Sequence, residues 1–272
     1  MRLAVPALFL AACGSSSPPP AKPDPVVEKK VTRVPIEDES KDEVPEEGVT
    51  FTKTKGAMAK EAIEAGLAPH TQELSDCYIK KVGKRRWLGG HIVLHWDIKA
   101  DGTITSVKMA ESDLGAWDIE KCLVEIAWAA TFEKPAGGDA DFTVPLEFSP
   151  TRSSQVWDED KALRAVGGQL ANLDECDHPD NDEKTKGGHK KKAPPKKDPD
   201  AKPVRPEPRP PSNVIVTLYV GPQGKAQSVG FSSPTSELGE KWTACAEQAA
   251  MNWRLPDPRG QIAKLAVRYR AE

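Results

Sequence analysis

The stretch His91-Ile92-Val93-Leu94-His95-Trp96-Asp97-Ile98, followed by Lys99-Ala100-Asp101-Gly102, decides the fold. Ile92, Leu94, Trp96 and Ile98 fall on every second position, the period that lays one face of a strand against a core. Asp101-Gly102 then predicts a tight turn, because glycine accepts positive φ at little cost. Thr103–Ala110 returns as the second strand of a hairpin, with Val107 and Met109 inward. Upstream, Leu74, Cys77 and Tyr78 share one helical face, which predicts a helix from Pro69 to about Lys81. Glu61–Ala65 reads as a preceding turn, cut off by Gly66 and Pro69. Downstream, Ser112 or Asp113 is placed to cap a helix carrying Leu114, Trp117, Lys121, Cys122, Leu123, Ile126 and Ala130. Phe142, Val144, Leu146 and Phe148 alternate in a last strand.

The pattern is written twice. With Gly102 aligned on Gly224, Asp97 falls on Tyr219, and Ser106-Val107 falls on Ser228-Val229. Leu74-Ser75-Asp76-Cys77 matches Leu173-Asp174-Glu175-Cys176, so a helix is expected there too. Cys122 and Cys245 follow their glycines at nearly equal distance, each ahead of a large apolar residue and a proline. Self-similarity in fixed order means a duplicated supersecondary unit. The fold class is therefore α+β: two tandem α-β-β-α-β modules, each a three-stranded antiparallel sheet with two helices on one face, joined to disordered linkers. The last strand of each module runs beside the first, so every neighbouring pair is antiparallel. Pro145 fits such an edge position.

Composition locates the linkers. Sixteen of the 25 prolines fall in Gly14–Thr50 and His178–Ser212, which hold no aromatic residue and cannot offset chain entropy by burial. Residues 13–54 thus read as a Pro- and charge-rich tether, 55–150 as the first module, and 151–272 as the second with an insert at 178–212. Lys184–Pro211 sets ten Lys and Arg against Asp198, Asp200 and Glu207, a local balance of +7. That tract reads first as a spacer, and secondly as a dock for anionic envelope material. The whole chain is balanced at −3, which argues against a nucleic-acid partner.

Met1–Ala12 has one basic residue, an apolar run and small residues before Cys13, the order of a secretory signal peptide. Leu10-Ala11-Ala12-Cys13 resembles the lipobox of bacterial lipoproteins. That resemblance implies cleavage before Cys13, palmitate-type acylation there, and membrane attachment by the lipid. Gly14 after the cysteine favours the outer membrane, facing the periplasm. Four cysteines remain, Cys77, Cys122, Cys176 and Cys245, and an even count in an exported chain implies disulfides. Of the three pairings, the repeat selects Cys77–Cys122 and Cys176–Cys245, since both helices of a module share one sheet face.

Asp76-Cys77-Tyr78, the Asp101-Gly102 hairpin, Cys122 and the Phe-x-x-Pro segment Phe132-Glu133-Lys134-Pro135 resemble the AgmX/PglI C-terminal domain, a TonB-C/TolA-like module of myxobacterial envelope proteins. The second copy departs from the first, with Asp177 in place of Tyr78 and Trp253 in place of Ala130. The resemblance implies fold more strongly than activity.

Catalytic and metal motifs are missing from the sequence: no G-x-S-x-G, no H-E-x-x-H, no phosphate-binding loop. His91, His95 and Asp97 share a strand face; the two histidines are too far apart along it for one metal, His95 and Asp97 could chelate only with help from a neighbouring strand, and the group reads as a solvated face. Trp96, Trp128 and Trp253 read as core residues. Trp87, after Lys84-Arg85-Arg86, reads as a basic aromatic loop fit for an anionic partner. Lys264, Ala266, Arg268 and Arg270 mark the proline-free last strand as the edge that takes an extended acidic segment. No cofactor and no metal is expected. The sequence thus reads as a non-enzymatic, membrane-anchored lipoprotein that binds a periplasmic or outer-membrane protein, or peptidoglycan. The competing reading is a cell-wall hydrolase or carbohydrate-binding protein.

Overall fold

The computed structural model describes residues 50–51, 56–177 and 208–271 of the 272-residue chain. The expected signal peptide 1–12, the expected acylation site Cys13, most of the expected tether 13–54 and residues 178–207 of the expected insert lie outside the described residues. All described residues fall within one unit, Pro45–Glu272.

In chain order the elements are β1 (Thr50–Phe51), α1 (Lys60–Leu67), α2 (Thr71–Val82), β2 (Gly90–Ile98), β3 (Ile104–Ser112), α3 (Trp117–Ala129) and β4 (Ala140–Phe148). There follow β5 (Gln155–Val156), α4 (Glu159–Val166), β6 (Asn213–Val220), β7 (Ala226–Ser232), α5 (Glu240–Met251) and β8 (Ala263–Arg270). They form a mixed α+β fold with two sheets, ordered β1-β4-β2-β3 and β5-β8-β6-β7.

The expected antiparallel trios β4-β2-β3 and β8-β6-β7 are present, but each sheet has a fourth strand. β1 pairs antiparallel with β4 at Phe142 and Thr143, and β5 pairs parallel with β8 at Ala263 and Lys264. Two-residue strands carry no periodic signal, so they escape a pattern search. Pro145 sits on β4 opposite Val93 and beyond the reach of β1. Its missing N–H therefore points to a lane with no partner strand among the described residues.

The helices also depart from expectation. Lys60–Leu67 is a helix of two turns rather than a lone turn, and a 3-10 turn, Ala68–His70, carries the chain past Pro69 into α2. In the second half α4 stops at the Gly167-Gly168 pair, and Leu173 and Cys176 lie in a 3-10 stretch, Gly167–Asp177. Two adjacent glycines leave the backbone too unconstrained to extend an α-helix. Neither Ser112 nor Asp113 caps α3, whose cap position is Ala116.

The first core gathers Ile63, Cys77, Ile92, Leu94, Trp96, Met109, Leu123 and Phe142 under α1, α2 and α3. The second gathers Ala162, Leu173, Val216, Leu218, Phe231, Trp242, Ala246, Leu265 and Val267 under α4 and α5. Disulfides Cys77–Cys122 and Cys176–Cys245 join the elements above each core, the pairing that the repeat selects.

Candidate functional site

Strand edges decide where this fold can accept an extended partner, because edge backbone carries unpaired N–H and C=O groups. Of the four outer lanes, those of β3 and β7 face each other where the two halves meet. Ser233, just past β7, donates its N–H to Met109 O of β3 at 2.8 Å. Thr217 Oγ1 donates to Ser112 O, Ser228 Oγ to Gly115 O and Tyr219 Oη to Gly89 O. Arg85 pairs with Asp118, Lys121 with Glu240 and Lys264 with Asp113 around the rim. β4 is interrupted by Pro145. β8 is left.

On β8 the lane is half covered. Gln155 and Trp157 donate their N–H groups to Ile262 O and Lys264 O, so the even-numbered residues turn their backbone outward. Beyond Val156 the chain turns away into α4, capped by Asp158 accepting from Lys161 N–H. Ala266, Arg268 and Arg270 then face a lane with no strand in it among the described residues. A groove of about 420 Å³ follows this lane, lined among others by Val156, Leu163, Ile215, Ala266 and Arg268. Val156 is 72% exposed and Leu163 44%, so two apolar side chains stand in water beside an open strand edge.

The named edge residues divide. Ala266, Arg268 and Arg270 are exposed, as a docking edge requires. Lys264 is not available: its Nζ reaches Asp113 Oδ2 at 2.9 Å and Gly89 O at 3.1 Å, over the Tyr219 ring. A lysine read as edge charge is instead a bond across the junction. Trp87 is likewise not a free loop aromatic. It packs against the first core, and its neighbour Arg85 is held by Asp118 and Ser228.

His95 and Asp97 lie 3.1 Å apart and Asp97 also pairs with Lys108, while His91 meets Glu147. The hydrogen bond from His95 and the Lys108 ammonium hold the Asp97 carboxyl far below its usual range, against the opposing effect of burial. This is an ion-paired outer face. Among the described residues no group of three or more His, Cys, Asp or Glu is placed to hold a metal. No helix among them is long and apolar enough to cross a membrane.

Sequence reasoning missed the junction, and one signal for it was present. In the first half the outward positions of the central strand are His91, His95 and Asp97. The aligned positions of β6 are Asn213, Thr217 and Tyr219, and β6 is buried on both faces over most of its length. A strand without clean alternation is a strand covered twice. At the aligned positions of β3 and β7, Lys108 is replaced by Gly230, which removes the charged side chain that would block docking. No family model matches the chain, and no curated protein or solved structure does either.

Proposed function

We propose that this chain is a lipid-anchored envelope protein, a tandem of duplicated α-β-β-α-β modules on disordered linkers, that binds a partner by strand addition to β8. The resemblance to AgmX/PglI-type domains, the lipobox ending in Cys13 and the two disulfides support an exported, outer-membrane-attached binding protein facing the periplasm. Its partner is a periplasmic or outer-membrane protein, and the role is that of scaffold or accessory in envelope machinery rather than catalyst. One observation carries the reading: the outward backbone of Ala266 and Arg268 borders a groove walled by exposed Val156 and Leu163. Backbone bonding supplies affinity in strand addition, and side-chain pockets supply selectivity. Among the described residues Arg268 and Arg270 make no ion pair, and they select an acidic segment.

A photoreactive amino acid at Arg268 in the full-length protein, activated in intact envelopes, tests the proposal. It should trap a protein adduct that the same group at exposed Ile79 on α2 does not. Adducts at Ile79 alone, or equal adducts at both positions, would refute edge binding.

A further inference from the structure

Glu120 is fully buried where α3 of the first half meets β7 of the second. Its Oε1 accepts from Ser112 Oγ at 2.6 Å and from Gly115 N–H at 3.2 Å. Its Oε2 accepts from Phe231 N–H at 2.8 Å, across the junction. Gly230 lies so close that a Cβ there would overlap the carboxylate. The binding reading makes no use of this group, and nothing in a helix of an exported scaffold requires it. An isolated buried carboxylate is costly unless neutralised or well bonded.

None of its direct partners is a cation. β7 contributes no ionisable side chain, and β3 contributes Lys108, tied to Asp97, and exposed Glu111. β6 contributes Tyr219, whose hydroxyl burial keeps neutral. The remaining charges stand at the rim: Asp113 with Lys264, Asp118 with Arg85, Lys121 with Glu240, and Glu247 of α5. Ser112 alone among the donors can rotate its hydroxyl to accept a hydrogen bond from a protonated Glu120; a backbone N–H cannot.

We propose that Glu120 is a proton-operated latch: the junction closes most tightly with this carboxyl protonated, and loosens when it ionises, freeing the facing lanes of β3 and β7. Burial pushes the Glu120 carboxyl up to about 7, against a usual value of 4.5. Between those values the closed state holds a proton that an opened state releases. Closure is therefore fully favoured below pH 4.5 and loses that advantage as pH rises through about 7. The proposal concerns β3 and β7 and is independent of binding at β8.

The test uses mature protein with carbon-13 at the glutamate carboxyls, titrated by NMR, together with hydrogen exchange. The Glu120 signal should titrate near neutrality. Protection of the Phe231 and Ser233 amides, corrected for intrinsic exchange, should fall on the order of tens of fold from about pH 5 to about pH 8. Leu94 and Leu218, central in their sheets, should hold their protection, and Glu120→Gln should flatten the response at the junction. An ordinary glutamate midpoint in the wild type overturns the proposal, and that reading stands even if the variant does not fold. A junction response unchanged in folded Glu120→Gln overturns it equally.

Discussion

Trp117 and Tyr219 are exchanged between the two halves. Trp117 begins α3 of the first half but is buried in the second core, 5.8 Å from the Phe231 ring and edge-on to it. Tyr219, on β6 of the second half, is buried in the first core and bonded to Gly89 O at 3.1 Å. Each half thus completes the other's core, and Gly115 at φ +68 permits the close approach beside the Tyr219 ring.

Shortening Trp117 to alanine should therefore destabilise the second half although the residue belongs to the first. Removal of a buried tryptophan costs about 3 kcal/mol or more. Tyr219→Phe, which keeps the ring and loses one buried hydrogen bond, should cost about 1 kcal/mol. Urea unfolding followed by exchange at Leu218 and Leu94 separates the two cores, and a Trp117→Ala effect confined to Leu94 contradicts the exchange.

Gly230→Ala should be damaging in spite of its small size, since its methyl meets Glu120 and the Ala116 amide. Overpacking of this kind costs about 1–3 kcal/mol. Gly168→Ala is the matched control, with nothing within 4 Å of the added carbon. It should be neutral or stabilising by about 0.5 kcal/mol. Equal thermal shifts for the two variants would remove the argument for close approach at Gly230.

Each disulfide closes a long loop, with separations of 45 and 69 residues. Loop-closure entropy gives about 4 kcal/mol for either, slightly more for Cys176–Cys245. Paired serine substitutions should lower the urea midpoint by comparable amounts. Non-reducing peptide mapping that linked Cys77 with Cys176 would contradict the pairing.

Much of this arrangement is legible in the sequence, and the losses have physical reasons. Alternation at Ile92–Ile98 and the Asp101-Gly102 turn, with Gly102 at φ +90, lead directly to the β2–β3 hairpin. The turn before β7 is less plain, because Gln223 adopts φ 63 beside Gly224 and glutamine is not a residue that announces positive φ. Trp117 reads as an ordinary apolar helix position and Tyr219, aligned with Asp97, as an outward one, since periodicity within one module says nothing of a core supplied by the other. Lys264 reads as a free charge, since Asp113 lies 151 residues away in sequence. Ala266, Arg268 and Arg270 are legible because an edge is a local property of one strand.

Cys13→Ala should move the protein from the membrane fraction to a soluble one, or leave the leader uncleaved. Two acyl chains hold a protein on a bilayer almost permanently, and none leaves it to diffuse. A variant still sedimenting with outer membranes contradicts lipid anchoring.

The central claim, strand addition at β8, is tested most directly by Ala266→Pro in the mature protein. The Ala266 N–H faces the lane that holds no strand among the described residues rather than β6, so proline there removes a docking donor without breaking the β6–β8 ladder. The probe is a fluorescent peptide alternating glutamate and valine, read by anisotropy, with circular dichroism and the Leu218 amide of the second core reporting the fold. The account predicts binding by the wild type, weakening on Arg268→Ala, and loss on Ala266→Pro with the fold intact. Undiminished binding by folded Ala266→Pro, or no binding of the acidic peptide by the wild type, contradicts it.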